Sequence, residues 1–408
     1  MTGRKREVLV ATCQTWSSTT ALPRLIAEAG LRVTGFSPGP LGLCGDVSTH
    51  VRCSREPKRA AQELAAYAAS HAFAWVVIAD EVLLRALVDR QNPRESTAWA
   101  PFDISDPAIG EFLLSKHEFV RNAGRFGISI PPSHLAVTVD HALAFVTELD
   151  YPVLVRGDRG FAGMEVTIAA DEKALRRSAA EVIAAYGRVA VQRFVPGASV
   201  SVSVLFARGV PLAYNAYRTE CGYPTATSAS TRHEDFAHPD LDSIVRKIGA
   251  ATRFHGMAGI DFMHDDETDA LYAIEVNPRP TMGFAGTRAN RTFFAPAIER
   301  FLAGDDAPTV VYAGRVPVQT YFPGYVFFAI TQPRMSDRRE LWAALAEFRL
   351  GDWRVALWEF GRFARDRLAL AAKTFMPAED CRTIGFQPAT TARTSRRSST
   401  DTIELTLF

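Results

Sequence analysis

The stretch from His255 to Phe284, HGMAGIDFMHDDETDALYAIEVNPRPTMGF, constrains the fold of this chain more than any other. Two apolar runs, Gly259 to His264 and Leu271 to Val276, flank the polar segment DDETD, the pattern of two strands joined by a turn. Asp261 interrupts the first run and Glu275 the second, with Asn277 two residues further on. Residues two apart on a strand share a face, so Glu275 and Asn277 point the same way, and hairpin pairing brings Asp261 beside them. Two carboxylates and an amide oxygen on an apolar surface repel and desolvate one another unless a cation lies between them. The all-oxygen donor set favours a hard ion, Mg²⁺ first, with Mn²⁺ as the alternative. Arg279, between Pro278 and Pro280, presents a flat guanidinium fork from a stiff backbone, suited to phosphate or carboxylate.

The run GIDF followed by YAIEVNPRP resembles the metal-binding end of the ATP-grasp superfamily, carboxylate-amine ligase type. The resemblance extends from about Val8 to about Leu302. It implies that Asp261, Glu275 and Asn277 hold Mg²⁺ on the phosphates of ATP. Arg279 then faces the acyl phosphate or its carboxylate precursor, with Asn277 and Arg279 as the catalytic pair.

The 46 Lys and Arg against 45 Asp and Glu leave a formal charge of +1, so no broad field favours nucleic acid or an anionic membrane. The chain is long enough, at 408 residues, for two or three full cores. Its five cysteines are scattered without a C-x-x-C pair, as in a reducing compartment, and no apolar run reaches the length of a membrane span. A cytoplasmic location is the expectation.

The first hundred residues alternate strand and helix. Strands are expected at Glu7 to Thr12, Leu31 to Ser37 and Phe73 to Ala79, with helices from Ser17/Ser18 to Ala29, Pro57 to Ser70 and Glu81 to Asp89. The turn CQTWSST lacks the glycines of a dinucleotide site, so this Rossmann-like half serves the substrate side. The expected fold class is α/β, with α+β in the ATP-grasp part. A parallel Rossmann-like sheet (1–100) precedes a two-subdomain ATP-grasp fold (101–198 and 199–310). A helical extension (311–392) and a flexible tail (393–408) follow.

In between, LLSKHEFVRNAGRFGISIPPS reads as a helical stretch closed by Pro131 and Pro132. The resemblance makes Lys116 a contact to the nucleotide phosphate. A helix capped by Asp140 is expected to run to about Leu149. Strands Val153 to Arg156 and Glu165 to Ala169 flank Gly157, Gly160 and Gly163, whose bare backbone lets N–H groups approach an oxyanion. In the family this loop closes over the triphosphate, and a Lys ends the preceding strand where this chain has Arg156, which keeps the charge with a different donor geometry. The resemblance further implies that Gln192, Arg193, Phe194 and Val195 wrap the adenine, although Glu often stands where Arg193 and Ser199 stand here. It also makes Arg218 and Arg232, around the loop CGYPTATSASTRHEDF, weak candidates for substrate contact. That loop is expected to interrupt the sheet.

The function implied is ATP-dependent joining of a carboxylate, an amino acid or other small acid, to an amine through an acyl phosphate, releasing ADP and phosphate. Its partners are these small molecules, with no nucleic acid or membrane span, and a homodimer is one form of assembly. Two rival readings stand beside it: an ATP-grasp enzyme with another acceptor, by carboxylation or thiol ligation, and a nucleotide-binding homologue without catalysis.

Overall fold

The computed structural model of the chain describes residues 6–14, 17–89, 101–102, 106–147, 149–158, 166–222, 230–304, 312–314, 318–347 and 353–374. Residues Met1–Arg362 form one compact unit and Phe363–Phe408 another, of which only the continuation of the helix Trp353–Thr374 is described.

The fold opens with β1 (Glu7–Ala11), β2 (Arg32–Ser37), β3 (Thr49–Arg52) and β4 (Trp75–Ile78), all parallel in the order β3-β2-β1-β4. Val8, Leu9 and Val10 are buried on successive, opposite faces, as a central parallel strand covered on both sides requires. The helix Glu81–Val88 starts where Asp80 accepts the Leu83 N–H at 2.7 Å. The same carboxylate takes the Thr12 hydroxyl at 2.7 Å and the Cys13 N–H at 2.8 Å, which ties this helix to the turn after β1.

A second sheet, of antiparallel pairs in the order β5-β8-β6-β7, is built from β5 (Ser133–Ala136), β6 (Val153–Arg156), β7 (Val166–Ala169) and β8 (Val189–Arg193). It has its own apolar core, in which Leu175 and Ala179 of the helix Glu172–Tyr186 pack on Val153, Val155, Val189 and Val191. Thr138, not Asp140, caps the helix Val139–Val146, because the Thr138 hydroxyl reaches the His141 N–H three residues on.

The third sheet carries the site. Its main path is β13 (Leu271–Asn277), β12 (Gly256–Asp265), β9 (Gly197–Ala207), β10 (Val210–Gly222), β11 (Ser230–Asp235) and β15 (Gln319–Thr320), with β14 (Tyr312–Gly314) beside β10. The sequence SVSVSV in β9 divides the two faces by its period of two. Val200, Val202 and Val204 join Ile260 and Phe262 in the main core, against Val245, Ile248 and Phe254. Ser199, Ser201 and Ser203 face the other way, with Asp261. Among the described residues, the loop expected to interrupt the sheet is mostly strand: β10 continues to Gly222 and pairs with β11. Residues 223–229 lie outside the described residues. Among the described residues of the run VPVQTYF, Gln319 and Thr320 are strand, and the tail after Thr374 lies outside the described residues.

The helical stretch around Lys116 is two helices, Pro107–Leu114 and Lys116–Asn122, with a break at Ser115. Ser115 takes an extended conformation and caps the second helix by accepting the Glu118 N–H at 3.1 Å. The helical region closes at Gly127, in the left-handed conformation at φ +63°, ahead of the two prolines.

A carboxylate cluster with three cations

Asp261 on β12 stands directly opposite Glu275 on β13, and Gly259 opposite Asn277. Next to Asp261 on its other side is Ser201 of β9, whose hydroxyl donates to Asp261 Oδ1 at 2.5 Å. The Asn277 Nδ2 donates to Asp261 Oδ2 at 2.8 Å and to Glu275 Oε1 at 3.2 Å, so the three side chains make one cluster.

Three cations converge on it. Lys116, the first residue of its helix, brings Nζ to 3.0 Å from Glu275 Oε2. Arg156, at the end of β6 and only 5% exposed, brings Nη2 to 3.5 Å from the same oxygen and donates to the Ile274 carbonyl at 3.3 Å. Arg279 donates from Nη2 to Asn277 Oδ1 at 3.3 Å and pairs through Nε with Glu81 Oε1 at 3.2 Å. A cavity is bordered by Glu81, Ser115, Lys116, Asp158, Glu275 and Asn277.

The electrostatics follow from these contacts. Burial, reinforced by the Glu275 charge, pushes the Asp261 carboxyl up to about 7. Burial opposes ionisation of Glu275 as well, yet Lys116 and Arg156 outweigh it and hold this carboxyl below its usual range. The pair therefore places its charge first on Glu275, and Asp261 ionises only as pH rises through about 7, which marks a site short of positive charge. A hard divalent ion fits that deficit. The donor set is two carboxylates plus an amide whose Oδ1 joins them when the Asn277 side chain is turned over.

Among the expected phosphate and nucleotide residues, Gln192 supports Arg156: its Oε1 accepts from Arg156 Nη1 at 3.3 Å, and its Nε2 donates to the Ser133 hydroxyl at 2.8 Å. Arg193 turns toward the tip of the β12–β13 hairpin. Its Nη2 lies 3.2 Å from the Tyr272 hydroxyl and 3.7 Å from Asp265 Oδ2. Phe194 is half-buried and Val195 buried. Gly160 and Gly163 lie outside the described residues.

Arg218 and Arg232 are not brought to the cluster. Tyr217 is in register with Ser201 and hence with Asp261, so Arg218, one residue on, projects from the opposite face, over the Phe236 ring at 5.5 Å. Arg232 pairs with Glu220 on that same opposite face and is enclosed by the carboxylates of Glu220, Glu234 and Glu340.

The sequence reading missed three contributors. Asp158, just after β6, accepts the Ser115 hydroxyl at 2.6 Å and the His117 N–H at 3.1 Å, which fixes the start of the Lys116 helix. Burial works against its charge, but those two donors prevail and hold its carboxyl below the usual range. Glu81 reaches Arg279 across 198 positions, a meeting no local pattern records. His233 continues the polar face of the sheet: it stacks on Tyr217 at 3.9 Å and meets the Tyr321 hydroxyl at 2.5 Å, and burial keeps it neutral. Tyr217 in turn meets Ser203 at 3.1 Å. Ser201 and Ser203, by contrast, were signalled by the alternation in β9.

Parts of the chain are similar to known proteins. The family model described as the ATP-grasp domain matches residues 116–283, the span from Lys116 past Arg279. The carbamoyl phosphate synthase large chain of Micrococcus luteus is 28% identical over 232 residues, covering 54% of this chain and 21% of that protein. This chain thus spans about a fifth of that relative's length. The biotin carboxylase domain of the Hydrogenobacter thermophilus 2-oxoglutarate carboxylase, solved with MgADP, ADP and bicarbonate, aligns with a TM-score of 0.58 and 15% identity, over 76% of this chain and 71% of that one. The L-amino acid ligase of Bacillus licheniformis aligns with a TM-score of 0.53 and 18% identity, over 74% and 75%. At these identities the two structures establish a shared fold.

Proposed function

We propose, from the match of residues 116–283 to the family model of the ATP-grasp domain, that the protein is an ATP-dependent ligase that joins a small carboxylic acid to an amine. The observation that carries this reading is the convergence of Lys116, Arg156 and Arg279 on the cluster of Asp261, Glu275 and Asn277. A carboxylate and a triphosphate repel each other, so a catalyst that brings them together works chiefly by positioning and by neutralising charge.

Asp261, Glu275 and Asn277 would hold Mg²⁺, which supplies electrostatic neutralisation of the phosphate oxygens. With the ion bound, Lys116 and Arg156 would be free to pair with the phosphates in place of Glu275. Arg156 is a stiffer and more delocalised contact than a lysine would be, and Gln192 and the Ile274 carbonyl fix its fork. Arg279 is placed to orient the acid. Transfer of the terminal phosphoryl group to the acid oxygen gives an acyl phosphate and ADP. Attack by the amine nitrogen then expels phosphate and leaves the amide, the amine losing a proton.

Carboxylation is the second reading, favoured by the likeness in fold to a carboxylase domain solved with bicarbonate. ADP and phosphate release measured against panels of acids and amines separates the two. Turnover only with both an acid and an amine supports ligation, turnover with bicarbonate supports carboxylation, and nucleotide binding without turnover on any panel overturns both. Glu275→Ala is expected to abolish ATP-dependent phosphate release with the fold intact, and full turnover in that variant would refute its role.

A further inference from the structure

The polar turn between the two site strands, DDETD, has no part in the ligase reading, yet it lies beside two buried imidazoles. His264, at the end of β12, and His238, ahead of the helix Leu241–Thr252, have side chains only 9% and 4% exposed. With Asp269 of the turn they place three ligand-type atoms within 4.8 Å of one another. Both rings direct Nε2 toward Asp269. His264 Nε2 is 2.8 Å from Asp269 Oδ1, and His238 Nε2 is 3.9 Å from that oxygen and 2.8 Å from the Asp269 carbonyl. On the far side of each ring another aspartate meets Nδ1: the Asp266 carboxylate lies 3.2 Å from His264 Nδ1, and at His238 Nδ1 the Asp240 N–H donates at 3.2 Å with the Asp240 carboxylate 4.0 Å away. His264 Nδ1 is buried and makes no hydrogen bond. Phe236 lies against both rings, its centroid 6.3 Å from His238 and 5.2 Å from His264, and supplies an apolar wall.

We propose that His238, His264 and Asp269 form a site for a transition-metal dication of the Zn²⁺ or Co²⁺ class, separate from the carboxylate cluster. Two neutral imidazoles and one carboxylate suit such ions and not Mg²⁺. Three protein ligands leave a fourth position for water on the solvent side, where Asp269 is exposed. Ligation through Nε2 displaces the proton that His238 now donates to the Asp269 carbonyl. The ring proton then resides on Nδ1, which gives up the Asp240 N–H it now accepts at 3.2 Å and turns to the Asp240 carboxylate 4.0 Å away, the arrangement in which a carboxylate orients a ligating histidine. The bound ion would join three backbone segments at the tip of the hairpin whose strands carry Asp261 and Glu275. Its role is structural.

The test uses the full chain, stripped of metal by a chelator and then saturated with Mg²⁺ so that the oxygen site is filled. Co²⁺ titration is read by its visible absorption and by calorimetry, and thermal unfolding is followed with Zn²⁺. The expected result is one equivalent of Co²⁺ with a low-coordinate spectrum and a raised unfolding temperature with Zn²⁺. Asp269→Asn, which tolerates the φ of +55° at this position, should weaken binding by about tenfold or more. His238→Asn should do the same, while Glu275→Ala should leave Co²⁺ binding unchanged. Absence of Co²⁺ binding, binding unaltered by both turn-side variants, or loss of binding only in Glu275→Ala would each overturn the proposal.

Discussion

Asp261 and Glu275 carry opposite assignments although they face each other across one strand pair. Two cations adjoin Glu275, while a serine hydroxyl and the Asn277 amide donate to Asp261. Asp261→Asn removes the buried charge without changing shape, so it is expected to raise the unfolding temperature of the metal-free protein at pH 8 and to eliminate the stabilisation produced by MgADP. A metal-free Asp261→Asn protein that melts lower than the parent would contradict this assignment. The cysteines give a pH prediction. Burial, aided by the Asp80 charge at Cys13 and the Glu63 charge at Cys53, pushes both thiols up to about 12. A thiol pKa raised above its unfolded value contributes stability that is present below that value and lost as pH rises through 12. Both thiols should therefore resist iodoacetamide in the native protein at pH 8 and react once it is unfolded, which mass spectrometry of tryptic peptides can read. At this scale the sequence shows Asp261, Glu275, Asn277 and Arg279 plainly, because acids interrupting apolar strands are conspicuous. Glu81 and Asp158 were illegible, since each acts on a residue far away in the chain.

At the level of elements, the site depends on the phase of β9, β10 and β12, where a shift of one residue exchanges the serine face for the valine face. That phase explains why Arg218 and Arg232 lie away from the cluster: the family resemblance suggested them, but position within the strand decides the face. The helix Met282–Ala285 sits close on the serine face, and a Cβ at Gly283 would meet the Ser203 and Tyr217 hydroxyls. Gly283→Ala is accordingly expected to destabilise the protein by about 1–3 kcal/mol, measured by urea unfolding, and a neutral effect would show that this helix yields. The break at Ser115 serves the same end, since it starts a new helix with Lys116 in its first turn. Asp158→Ala frees that turn, and the expected result is a raised KM for ATP with a smaller change in kcat. Three strands and three helices of the first ninety residues were readable from their apolar periodicity, whereas β3, mostly exposed and with little apolar character, was not. The two-helix form of the Lys116 region was not, because its cap depends partly on Asp158 from another sheet.

For the molecule as a whole, the helix that follows β4 of the parallel sheet supplies Glu81, a small antiparallel sheet supplies Arg156, and the large sheet supplies the carboxylates, so the cluster exists only once all three are assembled. Among the described residues no helix is long and apolar enough to cross a membrane. The central claim is that the facing strands β12 and β13 hold a divalent ion that in turn holds nucleotide. Calorimetric titration of ADP, with and without Mg²⁺, into the parent protein and Glu275→Gln tests it most directly. The account predicts ADP affinity that depends on Mg²⁺ in the parent and loses most of that dependence in the variant. Equal, Mg²⁺-dependent affinity in both proteins would contradict it.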